Sequence, residues 1–350
     1  MTLFRIAARN LLRNRRRTLL SLAGIAIGVA SMVAFRGLII GQREMMLANL
    51  VQGLSGAVQI HRTGYVANVQ GLPISLDFAD SEALRQRIRS VDGVLQLAPR
   101  ITFGAMLSLP DQIPPGGDPS QAVPGKSGFF VATAIDPLLE PEVTPRRFDW
   151  LKRGRLFKPG ERAVVLNEDF ARSLGIAPAE TAAPASAVPS AASAAPGDLP
   201  PPGQTVDERR ADEDERQWPG LVAADKDGAP NGEAVALTGV FTQGAPGDRK
   251  NGLVPLDLAQ RLLRMEGRVT EYAVAVRSLD DAHAVRDRLR AALGPEFEVH
   301  AWDDLLPFFR DMMRLQDVVL GLIAFVVLVT VLLVIANSML MNVLERVREI

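Results

Sequence analysis

Hydrophobic positions concentrate in two uninterrupted runs near the ends of the chain. Residues 18–35, TLLSLAGIAIGVASMVAF, carry no charge and are bracketed by Arg17 and Arg36. The second run, Val318 to Val343, is also free of charge and ends in the cluster Glu345, Arg346, Arg348, Glu349. Eighteen helical residues span roughly 27 Å, enough for the hydrocarbon core of a bilayer. The longer second run must tilt or protrude at one end. Both predict membrane-spanning helices, over 18–40 and 316–343.

The long middle of the chain has a different rhythm. Short runs rich in Val, Ile and Phe predict strands: AVQIH (57–61), GFFVATAI (128–135), RAVVLN (162–167), AVALTGVF (234–241) and EYAVAVR (271–277). DSEALRQRIRSV (80–91), DLAQRLLRM (257–265) and LDDAHAVRDRLRAAL (279–293) carry helical periodicity. The expected fold is therefore two transmembrane helices flanking a large α+β extracytoplasmic domain over 41–315. Two stretches break the pattern. Residues 110–126 are a Pro/Gly loop, and 177–232 combine an Ala/Pro tract with DERRADEDER. Neither can bury enough apolar surface to order itself, so disorder is expected across about 177–232.

Charge sets the orientation. Arg5, Arg9, Arg13, Arg15, Arg16 and Arg17 precede the first run with no acid among them. The positive-inside rule places that end in the cytoplasm, and two crossings return the other end there. Within residues 1–17, Phe4, Ala7, Ala8, Leu11 and Leu12 share one helical face while Arg5, Arg9 and Arg13 line another. That spacing predicts an interfacial elbow helix with its arginines on anionic lipid; a plain basic flank is the simpler alternative. A cleaved signal, suggested by Gly28-Val29-Ala30 and faintly by a twin-arginine pattern at Arg16, is disfavoured by the length of the run and the stop at Arg36. Ser21, Gly24, Gly28 and Ser31 recur on one face, and Gly24 with Gly28 would admit a second helix closely.

The overall net charge of −1 and the want of basic blocks interleaved with aromatics argue against nucleic acid. With no cysteine, disulfides and thiolate metal sites are excluded. PGKS (124–127) ends like a phosphate loop, but Ser120 stands where its first glycine belongs. His61, His283 and His300 lack ligand spacing. No G-x-S-x-G occurs, and acid pairs such as Asp280-Asp281 and Asp303-Asp304 read as caps or solvated turns. The expectation is a chain without catalysis, cofactor or metal.

Two segments carry a family resemblance. IANSMLMNVLERVREI (335–350) resembles the end of the second membrane helix in MacB/LolC/FtsX-type ABC transporter permeases, where an Asn precedes an E-R-x-R-E-[IF] signature; here these are Asn337, then Glu345, Arg346, Arg348, Glu349 and Ile350. ARNLLRNRRRTLLSLAGIAIGV (8–29) is similar to the elbow and first span of that family. GVFTQGAPGDRKNGLVPLDLAQRLLRM with the following VTEYAVAV resembles the later part of its periplasmic domain, above all in lipoprotein-releasing members. The resemblance implies a MacB-like periplasmic core domain in a multi-pass protein of the bacterial inner (cytoplasmic) membrane. It implies four spanning helices, so the third and fourth are expected beyond residue 350 and the chain reads as truncated after the second. A separate cytoplasmic ATPase, a second copy or related permease, and a periplasmic carrier or adaptor are the implied partners.

On residue types alone, Glu345, Arg346, Arg348 and Glu349 fit a solvated helix end as well as an ATPase contact; the resemblance favours coupling. Asn337 would bond across helices or lie near headgroups. The function so implied is a permease subunit that transmits ATP-driven movement to its periplasmic domain, first for lipoprotein release toward the outer membrane and second for drug or peptide efflux. A two-span periplasmic receptor stays open as another class, although 344–350 are too few residues for an output module. A membrane-tethered periplasmic enzyme ranks third.

Overall fold

A computed structural model describes residues 15–111, 124–176, 218–242, 249–305 and 307–347. The chain divides into two compact units, Met1–Met46 with Leu306–Ile350, and Leu47–Leu305. The first holds most of two long helices, α1 (Arg15–Leu50, 36 residues) and α9 (Pro307–Val347, 41 residues). At 1.5 Å per residue they measure about 54 and 61 Å, well beyond the ~30 Å of a hydrocarbon core. Both overrun the expected 18–40 and 316–343. Residues 37–50 contain no proline and favour helix through Leu, Met, Gln, Glu and Ala, so nothing stops α1 where the apolar run ends. Pro307 opens α9, a position where its missing N–H costs nothing.

Both helices are long and apolar enough to cross a membrane. Leu22 (67 % exposed), Val33, Leu322, Phe325 and Leu333 (65 %) stand free on their surfaces. Each such side chain left in water forgoes roughly 1.5–3 kcal/mol, so a lipid surround is the environment this sequence is built for.

The second unit is built on one eleven-stranded sheet. Its first lobe contains β1 (Val58–Arg62), α2 (Glu82–Arg89), the start of β3 (Val94–Ser108), β12 (Glu271–Val276), α7 (Ala282–Leu293) and β13 (Phe297–Ala301). The strand order β13-β1-β12-β3 is antiparallel throughout. This is a split β-α-β repeat of the ferredoxin-like kind, interrupted after β3. Ser81 caps α2 by accepting from the Leu84 amide at 3.3 Å, while Ala282, Val285, Leu289 and Leu293 form the buried stripe of α7. Phe78, on the short strand β2 (Phe78–Ala79) that pairs with β11 (Arg268–Val269), meets Tyr272 and Phe297 edge-on at 5.1 and 5.3 Å in the core.

The interruption is the second lobe. β3 runs on for 15 residues, pairing β12 through residues 94–100 and then β4 (Ser127–Ile135) through 100–108. The sheet continues through β10 (Asn251–Pro255), β6 (Ala163–Asn167), β9 (Ala236–Phe241) and β5 (Leu151–Gly154), with the short helices α5 (Glu168–Ser173) and α6 (Leu256–Leu262) following β6 and β10. Among the described residues, β4/β10 and β6/β9 are the parallel pairs. Ser127 opens a strand, whereas a phosphate loop would run into a helix.

One expectation is corrected. Gly220–Ala224 (β7) and Pro230–Ala234 (β8) form a hairpin docked on β3, within the stretch expected to be disordered. Leu221 and Ala223 bury one face of it, and the Asp225 carboxylate holds the turn through the amides of Asp227 (3.0 Å) and Ala229 (2.9 Å). The Ala/Pro tract at 177–217 and residues 112–123 lie outside the described residues. The domain unit spans 47–305, narrower than the 41–315 read from the pattern, because the helical stems claim both margins.

Candidate functional site

The chain passes from α1 into the domain through a π turn, Val51–Ser55. Gly56 ends it at φ +74°, a left-handed conformation that suits glycine, with its N–H bonded to the Val51 carbonyl at 2.9 Å. The Ala57 amide then bonds the Val274 carbonyl and β1 begins. A π turn widens the helix and leaves carbonyls off the regular ladder. Here Gly53 and Leu54 offer theirs to two arginines.

Arg147, on the short helix α4 (Arg146–Asp149), donates Nε–H to Gly53 O at 2.9 Å and an Nη2–H to Leu54 O at 2.6 Å. Arg100, in β3 where the lobes meet, donates to Leu54 O at 2.8 Å. Its other bonds go to Glu140 on α3 (Glu140–Val143) at 2.6 and 3.0 Å, to Glu271 on β12 at 3.1 Å and, at 3.5 Å, to Thr144 Oγ1. Arg147 approaches Glu140 at 3.5 Å, and the Thr144 hydroxyl also donates to Glu140. Beside them Arg146 reaches the Asn49 side chain at 3.0 Å. All these residues belong to the Leu47–Leu305 unit.

The four charges are dehydrated: Arg100 is 2 % exposed, Glu140 0 %, Glu271 6 % and Arg147 7 %. Two positive and two negative groups balance, which is what permits the burial. Burial alone would raise the Glu140 carboxyl, but the charges of Arg100 and Arg147, with the hydrogen bonds from Arg100 and Thr144, hold it below the usual carboxylate range. Burial pulls Arg147 down to about 10, helped by the neighbouring Arg100 charge and opposed by Glu140 and Glu271, so it stays protonated at neutral pH. Arg100 is raised because its two carboxylates outweigh its own burial.

Nearby in the same lobe, the His61 ring is 1 % exposed. Its Nδ1 stands 3.1 Å from Thr270 O, its Nε2 3.1 Å from the Gln59 amide oxygen, and it stacks on Tyr65 at 4.3 Å. Burial pulls it below the ordinary 6.5, against Glu271, the Thr270 carbonyl and Glu298, which raise it; His300 adds to the lowering.

The chain leaves the domain next to where it came in. Val58 pairs with Ala301, and the Trp302 amide bonds the Ala57 carbonyl at 3.1 Å. After β13, α8 (Trp302–Leu305) carries Asp303, 3.3 Å from His283 Nε2, and Asp304, which accepts from Arg286 at 2.8 Å and from the Ala301 amide at 3.2 Å. Oxygens and nitrogen of His283, Asp303 and Asp304 come within 4.8 Å of one another. The Arg286 guanidinium already occupies Asp304, so a cation there would have to compete with it.

The residues singled out in the sequence fall as follows. A Cβ at Gly28 would be 3.9 Å from Val327 of α9, so that glycine faces the second long helix, whereas Gly24 has nothing within 4 Å. The same pair of helices is linked by Arg43 and Asp317 at 3.6 Å. Asn337 is exposed on α9. Glu345 and Arg346 lie within α9, and their side chains are outside the described residues, as are Arg348, Glu349, Arg5, Arg9 and Arg13 altogether. The buried arginine–carboxylate group went unnoticed in the sequence. Its signal was a lone arginine inside LQLAPRITFGAML and a glutamate opening EYAVAV, charges in strands that otherwise read as core.

Comparison with known proteins gives one family model, and the solved structures that match include two distant ones. The extracellular domain of the noncanonic ABC-type transporter YknZ from Gram-positive bacteria is 14 % identical, with a TM-score of 0.36, covering 70 % of this chain and 99 % of that one. The periplasmic region of MacB from Actinobacillus actinomycetemcomitans is 11 % identical, with a TM-score of 0.39, covering 76 % of this chain and 97 % of that one. No curated protein matches. A family model described as the MacB-like periplasmic core domain matches residues 18–292. By that match, which takes in the first apolar helix and nearly the whole two-lobed sheet, the chain belongs to the MacB-like family of ABC transporter permeases.

Proposed function

We propose that this chain is a force-transmitting permease subunit of the inner membrane, with its N-terminus in the cytoplasm and its Leu47–Leu305 domain outside. The single observation that carries the reading is a domain whose two chain ends, Ala57 and Trp302, are hydrogen-bonded neighbours and lead into two long apolar helices. Helices of this length are stiff, and neither run of 18–35 or 318–343 holds a charge that could line a hydrophilic path. A substrate handled by such a machine is already outside the membrane. A separate cytoplasmic ATPase drives the helices, contacting Glu345, Arg346, Arg348 and Glu349, and a second permease copy or a related permease completes the assembly. Gly24, Gly28 and Asn337 serve helix packing, while Arg5, Arg9 and Arg13 hold the lipid surface.

Release of lipoproteins toward an outer-membrane carrier is the process proposed first; efflux of a drug or peptide through an adaptor is second. Co-purification of an ATPase with the tagged chain tests the core reading. Reversing Arg346 and Arg348 to Glu should abolish it; an undiminished ATPase band would remove the assigned coupling residues. Depletion in the native host separates the substrates. Lipoproteins held back in the inner membrane support release, and normal lipoprotein sorting with raised drug susceptibility replaces it with efflux.

A further inference from the structure

The geometry points to Arg100 and Arg147 as positioning residues that lock the last turns of the first long helix to the sheet, making the π turn Val51–Ser55 the joint through which that helix drives the domain. The inference rests on the transmission reading above and says where the force passes.

Three independent features converge on this turn. Its Gly53 and Leu54 carbonyls receive three charge-assisted bonds from the two guanidiniums, at 2.9, 2.6 and 2.8 Å. Carbonyls at a helix C-terminus carry partial negative charge, so a cation there is favoured twice. The planar fork of Arg147 spans two successive carbonyls, which fixes rotation as well as position. Packing closes the second side: a Cβ on Gly53 would collide with the six-membered ring of Trp150, so the indole abuts the backbone there. Gly56 and the Ala57–Val274 bond then tie the end of the turn to β12.

The arginines are in turn held from the sheet. Arg100 belongs to β3 at the register position facing both Glu271 of β12 and Ile135 of β4, the point where the two lobes share a strand. A push or twist delivered at Leu54 is thereby passed to both lobes at once. A group serving only core stability could pair its charges among themselves, yet here three arginine donors are spent on the turn and Arg147 Nη1 is left without a hydrogen bond.

Hydrogen exchange of the full-length chain in lipid nanodiscs, followed by mass spectrometry without nucleotide or ATPase, tests this separately from transport. Arg147→Lys keeps the charge and removes the fork; Arg147→Met combined with Glu140→Gln removes both while preserving neutrality. Both should raise exchange at residues 50–56 by at least about tenfold, the effect of losing bonds to a charged donor; in Arg147→Lys, which leaves the Arg100 bonds to Glu140 and Glu271 in place, peptides from 97–107 and 271–276 stay as in the unaltered chain. Unchanged exchange at 50–56, or an equal rise across the whole sheet, would overturn the joint and leave Arg147 as ordinary core support. Loss of transport with unaltered exchange in variants of Arg346 would bear on the transmission reading instead.

Discussion

Around the point where the chain comes into the domain, at Val51–Ala57, four charged side chains are sealed from water, and the two arginines among them donate to the Gly53 and Leu54 carbonyls. Where it goes out, at Ala301–Leu305, the charged contacts are half open: Arg286 is 18 % and Asp304 26 % exposed, and His283 is 50 % exposed beside Asp303. The two places are adjacent in the sheet, so the contrast is not one of location. It is one of dielectric. A dehydrated ion network is nearly all-or-none, since any member removed leaves its partner unpaired. Solvated pairs are screened by salt and contribute little each. The incoming segment is held by dehydrated ion pairs, the outgoing one by solvated pairs.

The strongest way to break this contrast is Glu140→Gln. It leaves Arg100 and Arg147 facing each other with one carboxylate, and should cost about 3–5 kcal/mol of domain stability in a denaturant titration. Gly53→Val comes next. The added branch must displace the Trp150 ring, at about 1–3 kcal/mol, and the melting temperature should fall accordingly. Acid sharpens the picture from another side. His61 has a folded-state pKa below 6.5, so the unfolded chain binds the proton more readily. Its contribution is complete above 6.5 and is lost as pH falls from there toward the folded value, by at most about 1.4 kcal/mol per pH unit. Melting curves between pH 8 and 5.5 should show that slope, and His61→Gln should flatten it. The smallest effect belongs to the outgoing attachment. Arg286→Ala should cost no more than about 1 kcal/mol, and raising salt should remove most of the difference. Asp304, held low against its own burial by Arg286 and the Ala301 amide, contributes stability in full above the ordinary aspartate range and loses it as pH falls through the folded value.

Much of the fold was legible because it depends on local pattern. The charge-free runs marked α1 and α9, and the Val/Ile-rich runs marked β1, β4, β6, β9 and β12. β3 was missed although it is the longest strand, since Pro99, Arg100 and Gly104 break the alternation that a half-buried strand should show. The β7–β8 hairpin was hidden inside polar sequence because its order comes from docking on β3 rather than from its own composition. The arginine joint was illegible for a stronger reason. Arg100 meets partners 40 and 171 residues away, and only the topology that threads β12 back beside β3 brings them together. The charged cluster at 345–349, proposed above for coupling, rests by contrast on the sequence and the resemblance, since its side chains lie outside the described residues.

The account turns on the Leu47–Leu305 domain standing outside the membrane between two crossings. The chain contains no cysteine, so a single Phe129→Cys, at a side chain 74 % exposed, gives one reactive site in the domain. Labelling of intact spheroplasts with a membrane-impermeant maleimide measures its side directly. The account expects full labelling before permeabilisation; labelling only after the membrane is opened would contradict it.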